Sequence, residues 1–275
     1  MNRRLSSKNS QRNLVVNRET NIMKIKFHNI APKICDCHVH YGQFREDSYD
    51  AKDIIKCFEE LGIDKVGIMP ISMESDFPRD QKILGSLPKE RFVPYLWVNP
   101  EMVDADPSMK TYDSLNYKVI KIHAYARKEW DAMPDKIRTV IQAASIKGVP
   151  VMFHTGGWRG SNAIQFYKFC REFPEATFIL AHGKPISQTL TVLKGAKNAY
   201  VDNSFMDIES MKMICDAGLS DRILFGTDFP IMKTFWPKIN LMDWYRNHVM
   251  ELVQTFGEKD FMIWANENFY KLIMR

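Results

Sequence analysis

The sequence has no long hydrophobic run and no strong charge of either sign. No apolar stretch reaches the roughly 18 residues that a membrane-spanning helix needs. The formal net charge of the 275 residues is only +5. Basic residues interleaved with aromatic ones are typical of nucleic-acid binding, and the basic residues near the N-terminus lack this interleaving. We therefore expect neither a membrane span nor a nucleic-acid partner.

Cysteine is also scarce. The chain has five cysteines, an odd number, and none has the spacing of a cysteine metal site. Cys35 and Cys37 flank Asp36 on a segment predicted to be a buried strand. The composition favours reduced core thiols in a cytoplasmic protein.

Apolar periodicity is missing from residues 1–23, which are polar and basic. We expect this segment to be a disordered basic tail. It has no continuous apolar core of a secretory signal, although its Arg and Ser content leaves a transit peptide as an alternative. Met23 is an alternative start of translation. Residues 24–275 are predicted to form one domain.

Within that domain, short apolar strands alternate with helices through eight rounds, and two further helices follow at 238–255 and 260–274. Uniformly apolar strands are typical of a parallel sheet covered on both faces. Eight such units in about 250 residues predict an α/β fold, a closed (β/α)₈ TIM barrel. An open doubly wound sheet is the alternative, but no Gly-rich dinucleotide fingerprint follows any strand. The predicted strands are 33–40, 64–69, 91–98, 117–123, 149–154, 177–182, 199–203 and 222–227.

Polar side chains stand where most of these strands end. In a barrel, the carboxyl ends of all strands meet at one rim, where barrel active sites lie. Five of the seven histidines in the chain occupy such positions. A single strand-end histidine is more often structural, but the set favours a metal site. The polar strand ends are His38, His40, Lys121, His123, His154, His182, Asp202, Asn203 and Asp228.

The motif Asp36-Cys37-His38-Val39-His40 gives the clearest indication of a metal. Residues two apart in a strand point to the same face, so His38 and His40 present two imidazoles side by side where a loop begins. Several imidazoles with one carboxylate suit Zn²⁺, with Mn²⁺, Fe²⁺, Co²⁺ or Ni²⁺ as alternatives. The chemistry that follows is water activation, in which Asp228 is suited to ligate the metal and take a proton. The alternative for Asp228 is an ordinary capped turn.

These motifs together resemble the amidohydrolase superfamily, and within it the amidohydrolase-2 group of metal-dependent hydrolases and decarboxylases. The similarity covers nearly everything after about residue 30 and ends in a closing helix, WANENFYKLI at 264–273. It implies a distorted (β/α)₈ barrel with one divalent metal at its carboxyl rim. The motifs that carry it are DCHVH at 36–40, KIH at 121–123, PVMFHTG at 150–156, ILAHG at 179–183 and LFGTDFP at 224–230.

The resemblance implies a role for each strand-end residue. His38, His40 and His154 would be metal ligands, and Asp228 a ligand and the acid/base. His182 would polarise the substrate or orient the water in mononuclear members, and bind a second metal in binuclear ones.

Two residues on the fourth strand keep alternatives open. Lys121 has the position of the carboxylated lysine of binuclear members, but we favour a plain lysine that snorkels along the barrel wall, and hence a single metal. His123 would contact the metal or the substrate, or simply pack.

Loop residues suggest a small, anionic substrate. Arg159 can hold a carboxylate by a bidentate pair, and Trp158 can stack on a planar substrate; the alternative is an ordinary surface loop. We assign Arg159, Trp158, His123 and Lys121 as candidate substrate-binding residues. Further rim candidates are Arg45, Trp97, Asn99 and Lys184.

The favoured function is therefore a metal-dependent hydrolase that cleaves a small amide, ester or lactone with metal-activated water, with Asp228 and His182 as catalytic residues. The alternative is a non-oxidative decarboxylase, a lyase that acts on a small aromatic or unsaturated carboxylic acid at the same site. A barrel that binds without turnover is a third class. The oligomeric state stays open, and a homodimer is one option.

Overall fold

The structure, a computed structural model, describes residues 24–71 and 77–274. The predicted tail, residues 1–23, lies outside these ranges. The described residues form nine strands in one sheet. The strands are β1 (Cys35–Phe44), β2 (Asp47–Tyr49), β3 (Lys65–Ile71), β4 (Phe92–Val98), β5 (Val119–Ile122), β6 (Val151–His154), β7 (Phe178–Ala181), β8 (Ala199–Asp202) and β9 (Ile223–Leu224).

The strands follow one another around a closed barrel. From β1, β3 and β4 onward to β9, each strand pairs in parallel with the next one along the barrel. The ring closes where the chain after β9 meets β1. There the N–H groups of Cys37 and His40 donate to the carbonyls of Phe225 (2.9 Å) and Phe229 (2.7 Å). The predicted (β/α)₈ barrel is thus confirmed, and the open sheet is wrong.

Helices connect the parallel strands and cover the barrel, as a parallel sheet requires. The α-helices of the described part are α1 (residues 24–30), α2 (Ala51–Leu61), α3 (Phe77–Ser86), α4 (Pro100–Ala105), α5 (Pro134–Lys147), α6 (Ile164–Glu172), α7 (Ile186–Gly195), α8 (Ile208–Asp216), α9 (Met232–Phe235), α10 (Leu241–Phe256), α11 (Glu258–Met262) and α12 (Asn268–Ile273). Short 3₁₀ helices occupy Ala31–Lys33, Lys110–Leu115, Lys128–Ala132, Arg159–Ser161 and Ser220–Arg222, and a π-helical turn, Ile263–Glu267, joins α11 to α12.

The apolar core has an inner and an outer part. Alternate strand residues, such as Val93, Tyr95 and Trp97 of β4, form the inner cluster. Phe269 and Leu272 of α12 belong to the same cluster, so the C-terminal helix packs against the barrel interior. The larger cluster lies between strands and helices. The metal-binding candidates lie on or directly after strands that contribute to this inner cluster, so a densely packed interior holds them in place.

One predicted boundary is wrong. β1 does not end in a loop after His40: it continues to Phe44 and turns back into the antiparallel β2, which pairs Gly42 with Tyr49. Residues 101–116 do not form one continuous helix, because Pro107 disfavours the helical conformation at Asp106, which is extended (φ −149°, ψ 91°).

Within 24–71 and 77–274, no helix combines the length and the apolar character that crossing a bilayer requires. All five cysteines lie in these ranges and are free thiols.

Candidate metal centre

Three of the predicted metal ligands meet at the carboxyl end of the barrel. The Nε2 atoms of His38 and His40 lie 3.1 Å apart. The Oδ1 atom of Asp228 lies 3.0 Å from Nε2 of His40 and 3.4 Å from Nε2 of His38. All three residues are buried, and their candidate ligand atoms lie within 4.8 Å of one another. Two imidazole nitrogens and a carboxylate oxygen therefore converge on one point.

A β-bulge in β1 turns His38 into the barrel. The parallel register with β3 shifts between Asp36 and Val39. Cys37 belongs to the inner cluster, so strict alternation would turn His38 outward. The extra residue resets the alternation, as bulges next to active sites do. His38 and His40 then share the inner face, as their spacing predicts.

The position of Asp228 depends on Asp36. The buried Asp36 accepts hydrogen bonds from the N–H groups of His38 and Thr227, both at 3.1 Å, and from the Thr227 hydroxyl at 2.6 Å. Asp228 follows Thr227 directly and has a positive φ of 55°, which is uncommon outside glycine. Asp36 thus ties the β1 histidines to the loop that carries Asp228. Asp36 is not among the predicted site residues, although it opens the DCHVH motif.

His154 and His182 stand beside this group. Nδ1 of His154 lies 3.1 Å from Nε2 of His182, and the rings of His182 and His38 have centroids 5.2 Å apart. The ligand-type groups in the described residues are His38, His40 and Asp228, and His38, His182 and Asp202; His154 belongs to neither. The structure therefore brings His154 to the site, where its role as a ligand stays a prediction.

The second of these groups surrounds a hydroxyl. Oγ of Ser204 lies 2.8 Å from Nδ1 of His182 and 3.4 Å from Nδ1 of His38, and it donates a short hydrogen bond to Asp202. The space between these side chains is therefore filled by Ser204. Neither Asp202 nor Ser204 was among the predicted site residues, although Asp202 stands at a polar strand end.

His123 is held in an aromatic stack. Its ring lies between Trp97 (centroids 4.8 Å apart) and His154 (3.9 Å), in both cases nearly parallel. Its Nδ1 atom accepts the N–H of Ala126 at 3.0 Å. The packing alternative for His123 is therefore observed, and its contact with substrate stays a prediction.

The prediction that Lys121 snorkels along the barrel wall is wrong. The residue is completely buried, and its Nζ atom lies 3.3 Å from Nε2 of His38. The strand register explains this, because Lys121 is the inward residue of β5, opposite Trp97 and Met152. A side chain that points to the barrel axis cannot run along the barrel wall until its ammonium group reaches water. Burial lowers the pKa of this lysine to about 8.

The protonation states of the cluster suit a divalent cation. Burial, reinforced by the nearby Lys121 charge, holds the pKa of His38 well below its ordinary value. Burial and the neighbouring His182 do the same to His154, and burial lowers the pKa of His182. For Asp228, burial raises the pKa, but the opposing effects of His38 and His40 outweigh it and the pKa is lowered. Neutral imidazoles and an ionised carboxylate are the forms that bind metal, so the donor set fits a Zn²⁺-type ion.

The two loop candidates follow β6, the strand that ends in His154. The indole N–H of Trp158 donates to the carbonyl of Ala124 at 3.2 Å, which anchors the loop. Arg159 is exposed in the 3₁₀ helix that follows. Their roles in substrate binding stay predictions.

An aromatic patch with two cations adjoins the histidines. We call it the rim patch: Phe44, Phe205, Phe235 and Trp236, with Arg45 and Lys184. The rings of Phe205 and His182 have centroids 6.1 Å apart, and Phe205 also contacts Phe235 (5.9 Å) and Trp236 (6.4 Å). The Arg45 guanidinium lies 5.4 Å from the ring of Phe235 and the Lys184 ammonium 5.8 Å from Phe205. Phe235 and Trp236 are about half exposed, at 49% and 52%, so the patch is open to solvent.

Comparison with protein-family models finds one match. The family described as Amidohydrolase (Amidohydro_2) matches residues 89–241, more than half of the chain. The matched range contains Lys121, His123, His154, His182 and Asp228. No curated protein sequence matches the chain.

Solved structures resemble the barrel at low sequence identity. Amidohydrolase 2 from Bifidobacterium longum subsp. infantis superposes with a TM-score of 0.66 at 15% identity, covering 88% of this chain and 98% of that one. A probable 2-pyrone-4,6-dicarboxylic acid hydrolase from Acinetobacter baumannii, with citric acid bound, gives 0.64 at 12% identity, with 88% and 100% covered. The 5-carboxyvanillate decarboxylase from Novosphingobium aromaticivorans, complexed with manganese and 4-hydroxy-3-methoxy-5-nitrobenzoic acid, gives 0.58 at 14% identity, with 82% and 81% covered. At these identities the likeness establishes the fold.

Proposed function

The chain belongs to the amidohydrolase family, and on that premise we propose that it is a metal-dependent hydrolase that cleaves a small amide, ester or lactone. It is an enzyme of the hydrolase or decarboxylase type. One observation carries the choice of a metal mechanism: two buried imidazole Nε2 atoms lie 3.1 Å apart, with a carboxylate oxygen 3.0 and 3.4 Å from them. Three atoms that offer lone pairs, buried and this close together, are suited to coordinate one shared cation.

His38, His40 and Asp228 would hold this ion, with His154 as a further ligand, and Zn²⁺ is the ion that best suits such donors. Mn²⁺, Fe²⁺, Co²⁺ and Ni²⁺ also accept nitrogen and carboxylate ligands. When bound, the ion lowers the pKa of a coordinated water to about 7 and polarises a carbonyl.

Asp228 is the proton acceptor in this proposal. Its carboxylate has lone pairs beyond those directed at His38 and His40, and its lowered pKa keeps it ionised at neutral pH. After accepting a proton it can return it to the leaving group, as a general acid/base does. His182, neutral and adjacent to His154, would orient the reacting water.

A small substrate with a negative charge fits the rim. Arg45 and Lys184 bring two cations to the rim patch, and Phe205 offers a ring face beside His182. Arg159 would supply a further cation, and Trp158 a face for a planar group. A carboxylate on an aromatic or cyclic body would satisfy both the charges and the rings. The A. baumannii hydrolase, by its name, acts on a substrate of this chemical type.

Decarboxylation of an aromatic acid is the second candidate. The N. aromaticivorans relative is a decarboxylase with manganese bound. Asp228 would serve this reaction as well: its carboxylate would first take up a proton from water and then deliver that proton to the ring carbon as the substrate carboxylate leaves as CO₂.

Metal analysis of tag-free protein, followed by product analysis, tests the proposal. We expect about one divalent ion per chain and its loss in the double variant His38→Ala/His40→Ala, whereas His28→Ala, at an exposed position of α1, should retain it. The protein is then offered lactones, esters, amides and aromatic acids. Release of an acid or amine supports hydrolysis, and release of CO₂ supports the second candidate. Absence of metal after growth in added zinc and manganese would contradict both.

A further inference from the structure

The Nδ1 atoms of His38 and His182 contact a small polar network. The network is formed by Asp202 at the end of β8 and Ser204 two residues later. Both residues are buried. Oδ1 of Asp202 accepts the N–H groups of His182 (3.2 Å) and Ser204 (3.0 Å) and the hydroxyl of Ser204. Oδ2 of Asp202 lies 2.9 Å from Nδ1 of His38. Three donors occupy one oxygen, so the other is free to accept from His38.

These contacts determine which nitrogen of His38 carries the proton. A carboxylate oxygen accepts hydrogen bonds, so Nδ1 of His38 must be the donor. Nε2 of His38 is then unprotonated, and this is the nitrogen that faces His40 and Asp228.

The same logic extends to His182. Its Nδ1 lies 2.8 Å from Oγ of Ser204 and 3.3 Å from the carbonyl oxygen of Ser204. The hydroxyl proton is already donated to Asp202, and the carbonyl only accepts, so Nδ1 of His182 donates. Nε2 of His182 is therefore an acceptor. It lies 3.1 Å from Nδ1 of His154, which then donates and leaves Nε2 of His154 unprotonated.

We propose that Asp202 and Ser204 are positioning residues that fix the Nδ1–H tautomers of His38, His182 and, through His182, His154, so that the Nε2 atoms of His38 and His154 are ready to bind metal. This inference rests on the ligand assignment of the proposed function. Outer hydrogen-bond partners of this kind typically change metal affinity 10- to 100-fold.

The tautomers are observable in metal-free protein by long-range ¹H–¹⁵N NMR of ¹⁵N-histidine-labelled material, which requires neither metal nor activity. In the wild type we expect His38, His154 and His182 as Nδ1–H forms. Asp202→Asn should keep its oxygen on the three donors and direct its NH₂ group at Nδ1 of His38. His38 would then change to the Nε2–H form, and the affinity for Zn²⁺ should fall 10-fold or more.

Ser204→Ala separates the two branches. It should leave His38 in the Nδ1–H form while it loosens the tautomer of His182, and its loss of Zn²⁺ affinity should be smaller than that of Asp202→Asn. The surface variant Asp216→Asn, at the exposed end of α8, should match the wild type in spectra and affinity.

Two results would overturn the inference: an Nε2–H form of His38 in the wild type, or Asp202→Asn with unchanged tautomers and affinity. The wild-type spectrum alone decides the first, so the test stands even where Asp202→Asn does not fold. A wild type that takes up no Zn²⁺ contradicts the proposed function instead. The spectrum of the metal-free protein still tests whether Asp202 fixes the tautomer of His38.

Discussion

The Nζ atom of Lys121 lies 3.3 Å from Nε2 of His38, and no part of Lys121 reaches solvent. A plain lysine this close to a metal ligand places a cation beside the ion. A carboxylated lysine would instead be a ligand itself. The two states have opposite consequences for metal binding.

We predict that Lys121→Met binds one divalent ion per chain at least as tightly as the wild type. Methionine has similar length but removes the positive charge that repels the ion. Zn²⁺ titration with elemental analysis measures this, with Lys194→Met at an exposed position of α7 as the control. A weakening of 10-fold or more, or two ions per wild-type chain, would make Lys121 a ligand.

The hydrogen bonds from Thr227 to Asp36 should affect activity, because they fix the position of Asp228. We predict that Thr227→Val, which has the same shape without the hydroxyl, lowers the free energy of unfolding by about 1–3 kcal/mol, because a buried carboxylate loses a donor. The rate constant kcat should fall more than KM changes. Urea denaturation and steady-state kinetics measure the two effects. The control is Thr191→Val, which should be nearly neutral, because the exposed Thr191 hydroxyl only donates to a carbonyl of its own helix. Equal effects from both variants would show that the hydrogen bond from Thr227 to Asp36 has no special role.

The location of the site could be predicted from the sequence because it depends on local patterns. Strand ends are visible as apolar runs that finish in polar residues, and a barrel places all such ends on one rim. This was enough to select His38, His40, His182 and Asp228. It did not require knowing which strand neighbours which.

Three features of the site depend on register and packing, which local patterns do not encode. The bulge in β1 appears only when β1 is paired with β3. Lys121 is buried because it is a residue of β5 that faces the barrel interior, whereas the length and charge of a lysine side chain alone favour a surface position. Ser204 lies in a loop after β8, and nothing in its own stretch indicates that it contacts His182. These are long-range contacts between residues far apart in the chain.

Acid should destabilise the fold partly through His248 of α10. Its ring stacks on Trp244 with centroids 5.2 Å apart, and burial lowers its pKa to about 4. The unfolded chain binds this proton near pH 6.5, whereas the folded protein binds it only near pH 4. Stability therefore falls as the pH drops from 6.5 to 4 and levels off below.

We predict that His248→Gln loses less free energy of unfolding than the wild type between pH 7 and pH 4, by on the order of 1–3 kcal/mol. Urea denaturation at pH 7, 5.5 and 4 measures the difference, and contributions from the other histidines cancel in it. His28→Gln, at an exposed position, should follow the wild type. A variant curve parallel to the wild type would show that His248 is protonated at its ordinary pKa.

The strongest single test of the chemistry is Asp228→Asn. The amide keeps the shape and one oxygen that can face the metal, so the fold and most of the metal should remain. It cannot accept a proton, so kcat should fall by about 10²–10⁴-fold, the range for loss of a general acid/base. Metal content, the thermal midpoint and steady-state kinetics on the best substrate of the panel are measured together, with Asp216→Asn as the control. Near-full activity with metal bound would remove Asp228 from the acid/base role and leave His182 as the group to examine. Loss of metal and activity together would instead mean that Asp228 acts mainly as a ligand.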